Sequence, residues 1–103
     1  MEYKISEKAF EDIDNIWLYT METWSAEQAD RYYNLIFDEI ERIAEYPLLG
    51  KDCASIRKNY RCAIVESHLI FYKYEKQQNF IEIIRILHQR LDVEKKVKSD
   101  FRF

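Results

Sequence analysis

The stretch FIEIIRILHQRLD, residues 80–92, decides how the rest of this chain must be arranged. Ile81, Ile83, Ile84, Ile86 and Leu87 form a nearly unbroken apolar run rich in β-branched residues. A run that short, apolar at both alternating positions, reads as a strand covered by protein on both sides. Arg85, His88, Arg90 and Asp92 lie within it or just beyond. They need partners or a task, because a polar group buried unpaired costs about 1–3 kcal/mol. The upstream chain is expected to cover this strand.

Working backwards, Glu75 to Asn79 reads as a polar hairpin loop, and Leu69, Ile70, Phe71, Tyr72 and Tyr74 as the strand before it. Ser67-His68 is a weak turn signal. Ile56 through Val65 alternates as one strand or two short ones, with Arg57 and Arg61 interleaved. Pro47-Leu48-Leu49-Gly50 contains the only Pro and the only Gly of the chain, a stop followed by a turn. Before it the period is helical. Ser6 is an N-cap for a helix from about Glu7 to Glu22, with Ala9, Ile13, Ile16, Trp17 and Thr20 on one face. Trp24 lies in the connection. Ser25-Ala26-Glu27-Gln28 matches a capping box. It opens a second helix with the stripe Ala29, Tyr32, Tyr33, Ile36, Ile40, Ile43 and Ala44, ending before Pro47. So short a connection implies an antiparallel helical hairpin. Tyr3 and Ile5 make an opening strand. At the far end Asp92 can cap a last helical turn or two through Lys98.

The order β-α-α-β-β-β-α predicts an α+β fold. An antiparallel sheet of about four strands carries the helical hairpin on one face, with a short C-terminal helix. The expected division is one domain over residues 1–92 and a helical tail over 93–103.

At 103 residues the chain is long enough for one core and too short for two. Hydrophobic residues at 48% and aromatics at 16% argue against disorder. A net charge of −3 argues against a dedicated nucleic-acid binder. The charge is uneven: residues 7–45 hold 11 acids and three bases, whereas residues 46–103 hold 12 bases and seven acids. Such asymmetry points to different partners for two faces, or to a solvated acidic helix pair beside a mildly basic sheet. The N-terminus MEYKISEKAF has no apolar signal-peptide core, and no apolar run approaches the about 20 residues of a membrane span. Cys53, Cys62, His68 and His88 fit no metal pattern. The expectation is two reduced thiols in a cytoplasmic protein, with no membrane contact, metal or cofactor.

Several pieces together resemble the RelE/ParE toxin superfamily of bacterial toxin–antitoxin modules. The matching positions are Ser6, Ala9, Asp12-Ile13, Trp24, Gln28-Ala29, Pro47 to Gly50, Tyr60-Arg61, His68 to Tyr72 and Ile83 to Asp92. The combination HxIFY and RILHxRxD at this spacing carries the resemblance, which covers about Tyr3 to Asp92. The ending Ile86-Leu87-His88-x-Arg90-x-Asp92 is similar to the ParE branch, whose members act on DNA gyrase. The RelE branch cleaves messenger RNA on the ribosome. In both, a partner antitoxin, ParD-like for the ParE branch, folds a disordered segment onto the toxin.

The resemblance therefore implies a plasmid-stabilisation type toxin that inhibits gyrase by protein contact, with no sequence-specific DNA binding of its own. The alternatives are a ribosome-dependent endoribonuclease or an inactive homologue that only binds antitoxin. For the nuclease, Arg61 and Arg85 would stabilise charge on the scissile phosphate and His88 would move a proton, with Arg57 nearby. The competing reading pairs Arg85 with a carboxylate such as Glu66 or Glu82 and lets His88 end a strand. Tyr60 and Tyr72 could stack on bases, with core packing as the default. For the gyrase inhibitor, Arg57, Arg90, Lys95 and Lys96 are the candidate target contacts.

Overall fold

The computed structural model describes residues 2–90. The expected helix over 92–98, together with Lys95 and Lys96, lies outside the described residues. Strand β1 (Glu2–Ile5) leads into α1 (Glu7–Thr23) and α2 (Ala26–Glu45), followed by β2 (Lys51–Asp52), β3 (Tyr60–Val65), β4 (His68–Glu75) and β5 (Phe80–His88). The five strands lie in the order β1-β5-β4-β3-β2. β5 is therefore interior to the sheet, as its apolar run requires.

The α+β arrangement matches the sequence reading, with two additions. β1 joins β5 in parallel, Glu2 beside Phe80 through Ile5 beside Ile83, so the sheet is mixed. The chain also forms β2, only two residues long, against Cys62 and Arg61 of β3. Both lie at sheet edges, where a local alternation pattern carries little information about the neighbouring strand.

Ser6 joins the N-terminal elements. Its amide donates to the Ile83 carbonyl (3.0 Å) and its Oγ to the Ile84 carbonyl (2.8 Å). The same Oγ accepts the Ala9 amide (3.0 Å), capping α1. Ser25 accepts the Gln28 amide (3.1 Å) to start α2. Trp17 Nε1 donates to Asp30 Oδ1 (3.0 Å) across the hairpin.

The core lies between this hairpin and the sheet. Ile13 of α1 and Ile36, Ile40 and Ile43 of α2 meet Ala63, Val65, Ile70, Tyr72, Ile81, Ile83 and Ile86. A smaller cluster of Cys53, Tyr60, Cys62, Phe71, Ile84 and Leu87 occupies the opposite sheet face. Ile83 and Ile86 face the helices although they are three residues apart, which simple alternation forbids. The register explains this. Tyr72 pairs with Ile83 and Phe71 with Arg85, so Ile84 is an extra residue, a bulge that resets the faces of β5.

Two expectations are overturned. Cys53 and Cys62 are joined in a disulfide, with Cα atoms 6.0 Å apart, rather than standing as two thiols. Ile56 to Asn59 is a turn, not the start of a strand. Asn59 takes a left-handed conformation (φ 70°), and the Cys53 amide donates to the Tyr60 carbonyl (2.8 Å). That fold-back sets Cys53 against β3, and spacing along the chain does not reveal it.

Candidate functional site

Two surface depressions sit at opposite ends of the sheet pairing, and they share no lining residue. The larger, about 790 Å³, opens between the helix junction, the β3–β4 turn and the end of β5. β1 stops at Ile5, so the edge of β5 beyond Ile83 faces no strand among the described residues. Asp12 of α1 takes the place of a strand there, its Oδ2 accepting the Ile86 amide (2.9 Å). Ile16, Ile86 and Leu87 supply apolar floor, and Tyr19 and Trp24 stand at the rim. Trp24 is 76% exposed.

Tyr32 organises the polar side of this groove. Its hydroxyl donates to the Val65 carbonyl (3.0 Å) and accepts the Ser67 amide (3.2 Å). The same hydroxyl is in hydrogen-bond contact with His68 Nδ1 (2.6 Å). Burial, the largest influence, pushes the Tyr32 hydroxyl above the ordinary tyrosine range, against the Ser67 hydrogen bond that lowers it. His68 meets His88 edge to face, centroids 5.2 Å apart. His88 Nδ1 accepts the Arg90 amide (3.1 Å) at the end of β5.

The smaller depression, about 430 Å³, is bordered by Leu48, Lys58, Arg61, Lys73 and Lys76. Arg61 turns away from open solvent. Its Nη2 donates to the carbonyls of Leu48 (2.9 Å) and Gly50 (2.6 Å), holding the 47–50 loop. Tyr72 holds the same loop from within, donating to the Pro47 carbonyl (2.8 Å) and accepting the Gly50 amide (2.9 Å). Burial raises the Tyr72 hydroxyl, and Gly50 and Arg61 pull in the opposite direction.

Arg61, Arg85 and His88 are thus not brought to one place. Arg85 is buried and grips Asp12 through Nε (2.8 Å) and Nη2 (2.9 Å). The carboxylate that holds it is that of Asp12, while Glu66 pairs with Arg31 (2.9 Å). Arg57 lies in the 53–59 turn, its amide donating to the Cys53 carbonyl (3.2 Å), and Arg90 is exposed at the end of the described chain. Tyr60 and Tyr72 are core residues. No group of His, Cys, Asp and Glu among the described residues is placed to hold a metal ion.

The sequence reading missed Asp12 as a structural anchor, although an acid directly beside Ile13, at the border of the α1 stripe, was a visible signal. The Tyr72–Arg61 clasp had only an indirect trace, the isolated Pro47 and Gly50.

The family model for the ParE toxin of type II toxin–antitoxin system, parDE, matches residues 3–93. The chain belongs to the ParE toxin family. Toxin ParE1 of Caulobacter vibrioides is 38% identical over 90 residues, covering 87% of this chain and 91% of that protein. Toxin ParE1 of Mycobacterium tuberculosis is 34% identical over 93 residues, covering 90% and 94%. The fold is similar to that of a chain from the chromosomal ParDE TA system of P. aeruginosa. The TM-score is 0.74 at 20% identity, over 85% of this chain and 95% of that one. The described part of this ParE family member has no helix long and apolar enough to cross a membrane.

Proposed function

We propose that this ParE-family toxin acts in the cytoplasm by inhibiting DNA gyrase through protein–protein contact, and that a cognate ParD-like antitoxin neutralises it. The observation that carries the choice of target is the commitment of Arg85 to Asp12 and of Arg61 to two loop carbonyls. A phosphodiester-cleaving centre needs cations aimed at the phosphate, and these two serve the fold. The net charge of −3 favours a protein target over the phosphate field of a ribosome.

The groove beside Trp24 is the proposed antitoxin seat. An amphipathic segment laid across the helix junction would bury Trp24 and Tyr19. Arg57 and Arg90, with Lys95 and Lys96, remain candidate target contacts.

The test is gyrase-catalysed supercoiling of relaxed plasmid, titrated with purified toxin and then with antitoxin. Loss of supercoiling that antitoxin restores is the expected result. Unchanged supercoiling, with cleavage of translated messages in arrested cells, overturns the proposal.

A further inference from the structure

We propose that the Tyr46–Gly50 loop, together with the cationic depression beside it, is the surface that meets the toxin's target. The complementary site on that target is an apolar pocket rimmed with carboxylates. The inference rests on the toxin reading above and assigns its target contact to residues that the sequence reading had not considered for it.

The first observation is what the loop exposes. Tyr46, Leu48 and Leu49 are 57%, 68% and 52% exposed, three large apolar side chains within four positions. The second is how firmly the loop is held in that exposed state. Its carbonyls at Pro47, Leu48 and Gly50 and its Gly50 amide all bond to Tyr72 or Arg61, and the Leu49 amide donates to the Tyr46 carbonyl (3.0 Å). Tyr72 is fully buried, and a Cβ on Gly50 would collide with its ring and hydroxyl. Arg61 keeps its place in this clasp although its Nε is buried with no hydrogen-bond partner. A loop that only links α2 to β2 needs none of this. A loop that must present two leucines in one fixed arrangement does, because a preorganised contact surface loses little conformational entropy on binding.

Charge selects the partner. Leu48 borders the depression that also carries Lys58, Arg61, Lys73 and Lys76, against Asp52 and Glu75. Lys73 is paired to Glu75 at 3.6 Å, while Lys58 and Lys76 are exposed. This is a cationic margin on an acidic chain, and it complements carboxylates around an apolar pocket. A nucleic acid would engage the lysines but leave Leu48 and Leu49 in water. Because the two depressions share no lining residue, the target surface is distinct from the proposed antitoxin seat.

The full-length chain is compared with Leu48→Ser/Leu49→Ser and with Lys58→Glu/Lys76→Glu. Four readouts are taken: melting temperature, capture of the antitoxin, growth arrest on induction, and inhibition of purified gyrase on relaxed plasmid. All four side chains are exposed, so the variants are expected to melt like the parent and to capture antitoxin equally. Leu48→Ala alone replaces the double variant if that one melts low. The leucine variant is expected to need at least about thirty-fold more protein for the same effect, and the lysine variant at least about ten-fold more.

Undiminished growth arrest by the leucine variant overturns the proposal even where gyrase is inhibited. So does loss of antitoxin capture along with activity, which would assign the surface to the antitoxin. So does a silent lysine variant beside a fully active leucine variant, which would mark a nucleic-acid partner. If the parent arrests growth without touching gyrase and the leucine variant is silent, the gyrase reading falls and this surface stands. A parent that does not arrest growth removes the toxin reading and this inference with it.

Discussion

Asp12 binds Arg85 with both carboxylate oxygens across 73 positions of sequence, and accepts the Ile86 amide with the oxygen that also meets Nε. The side chains are 12% and 10% exposed. One carboxylate thereby pins α1 to β5, satisfies a bulge-adjacent guanidinium and covers a strand edge.

Removing Asp12 should therefore act on stability. Asp12→Ala takes the carboxylate from a buried guanidinium and the acceptor from the Ile86 amide, and is expected to destabilise the chain by about 3–5 kcal/mol. Urea unfolding of parent and variant measures this. Replacing both partners by apolar residues, as in Asp12→Leu/Arg85→Met, should recover a large part of the loss, because no charge is then left buried. An Arg85→Ala variant that kept full stability would contradict the pairing.

The Cys53–Cys62 bond closes a short loop, nine positions apart in sequence. Chain-entropy reasoning gives about 2–3 kcal/mol from such a crosslink. Reduction, or Cys53→Ser/Cys62→Ser, should lower the melting temperature by on the order of 10 °C for a domain of this size. Melts with and without a reductant check this, and identical curves would mean that the bond contributes nothing.

Alkaline pH should weaken the fold in a defined window. Tyr32, Tyr60 and Tyr72 all have hydroxyls raised above the ordinary value of 10.0, burial being the first cause in each. A raised folded-state value means that the unfolded chain ionises first. The stabilisation is then complete below about pH 10 and is lost as the pH climbs through the folded-state values. Urea midpoints should be level up to about pH 9 and fall by about pH 11, with tyrosinate absorbance lagging in the folded protein.

Trp24 offers the sharpest test of the antitoxin groove. Its 76% exposure means that Trp24→Ala should leave the melting temperature nearly unchanged. Affinity for the antitoxin should nevertheless fall at least about thirty-fold, the loss typical of a buried aromatic anchor. Titration calorimetry on the two proteins gives the answer, and equal affinities would move the seat elsewhere.

What the sequence made legible follows the range of the interactions involved. Ser6, Ser25 and Pro47 placed both helices to within a residue or so, because caps and breakers act over three or four positions. The apolar run of β5 was sufficient to put that strand inside the sheet. Long-range partners were out of reach. Glu82 and Glu66 are the nearby acids that a linear reading offers Arg85, yet Glu66 pairs with Arg31 and Arg85 is held by Asp12, 73 positions away on α1. Cys53 and Cys62 looked unrelated because the Asn59 turn between them has no strong local signature. Arg61 is a candidate for the nuclease alternative in a linear reading because nothing in the sequence shows that its guanidinium faces the Leu48 and Gly50 carbonyls.

The strand order β1-β5-β4-β3-β2 has a consequence for synthesis. Chains emerge from the ribosome N-terminus first, and here β5, between the opening strand and the β3–β4 hairpin, emerges after every other described element. Until Phe80 to His88 are out, β1 has no neighbour and the hairpin of helices lacks Ile81, Ile83 and Ile86 to pack against. A chain ending at Asn79 is accordingly expected to show no cooperative melt. Nascent fragments of this toxin that lack β5 should be inert, so the hazard to the cell begins only once Phe80 to His88 have been made.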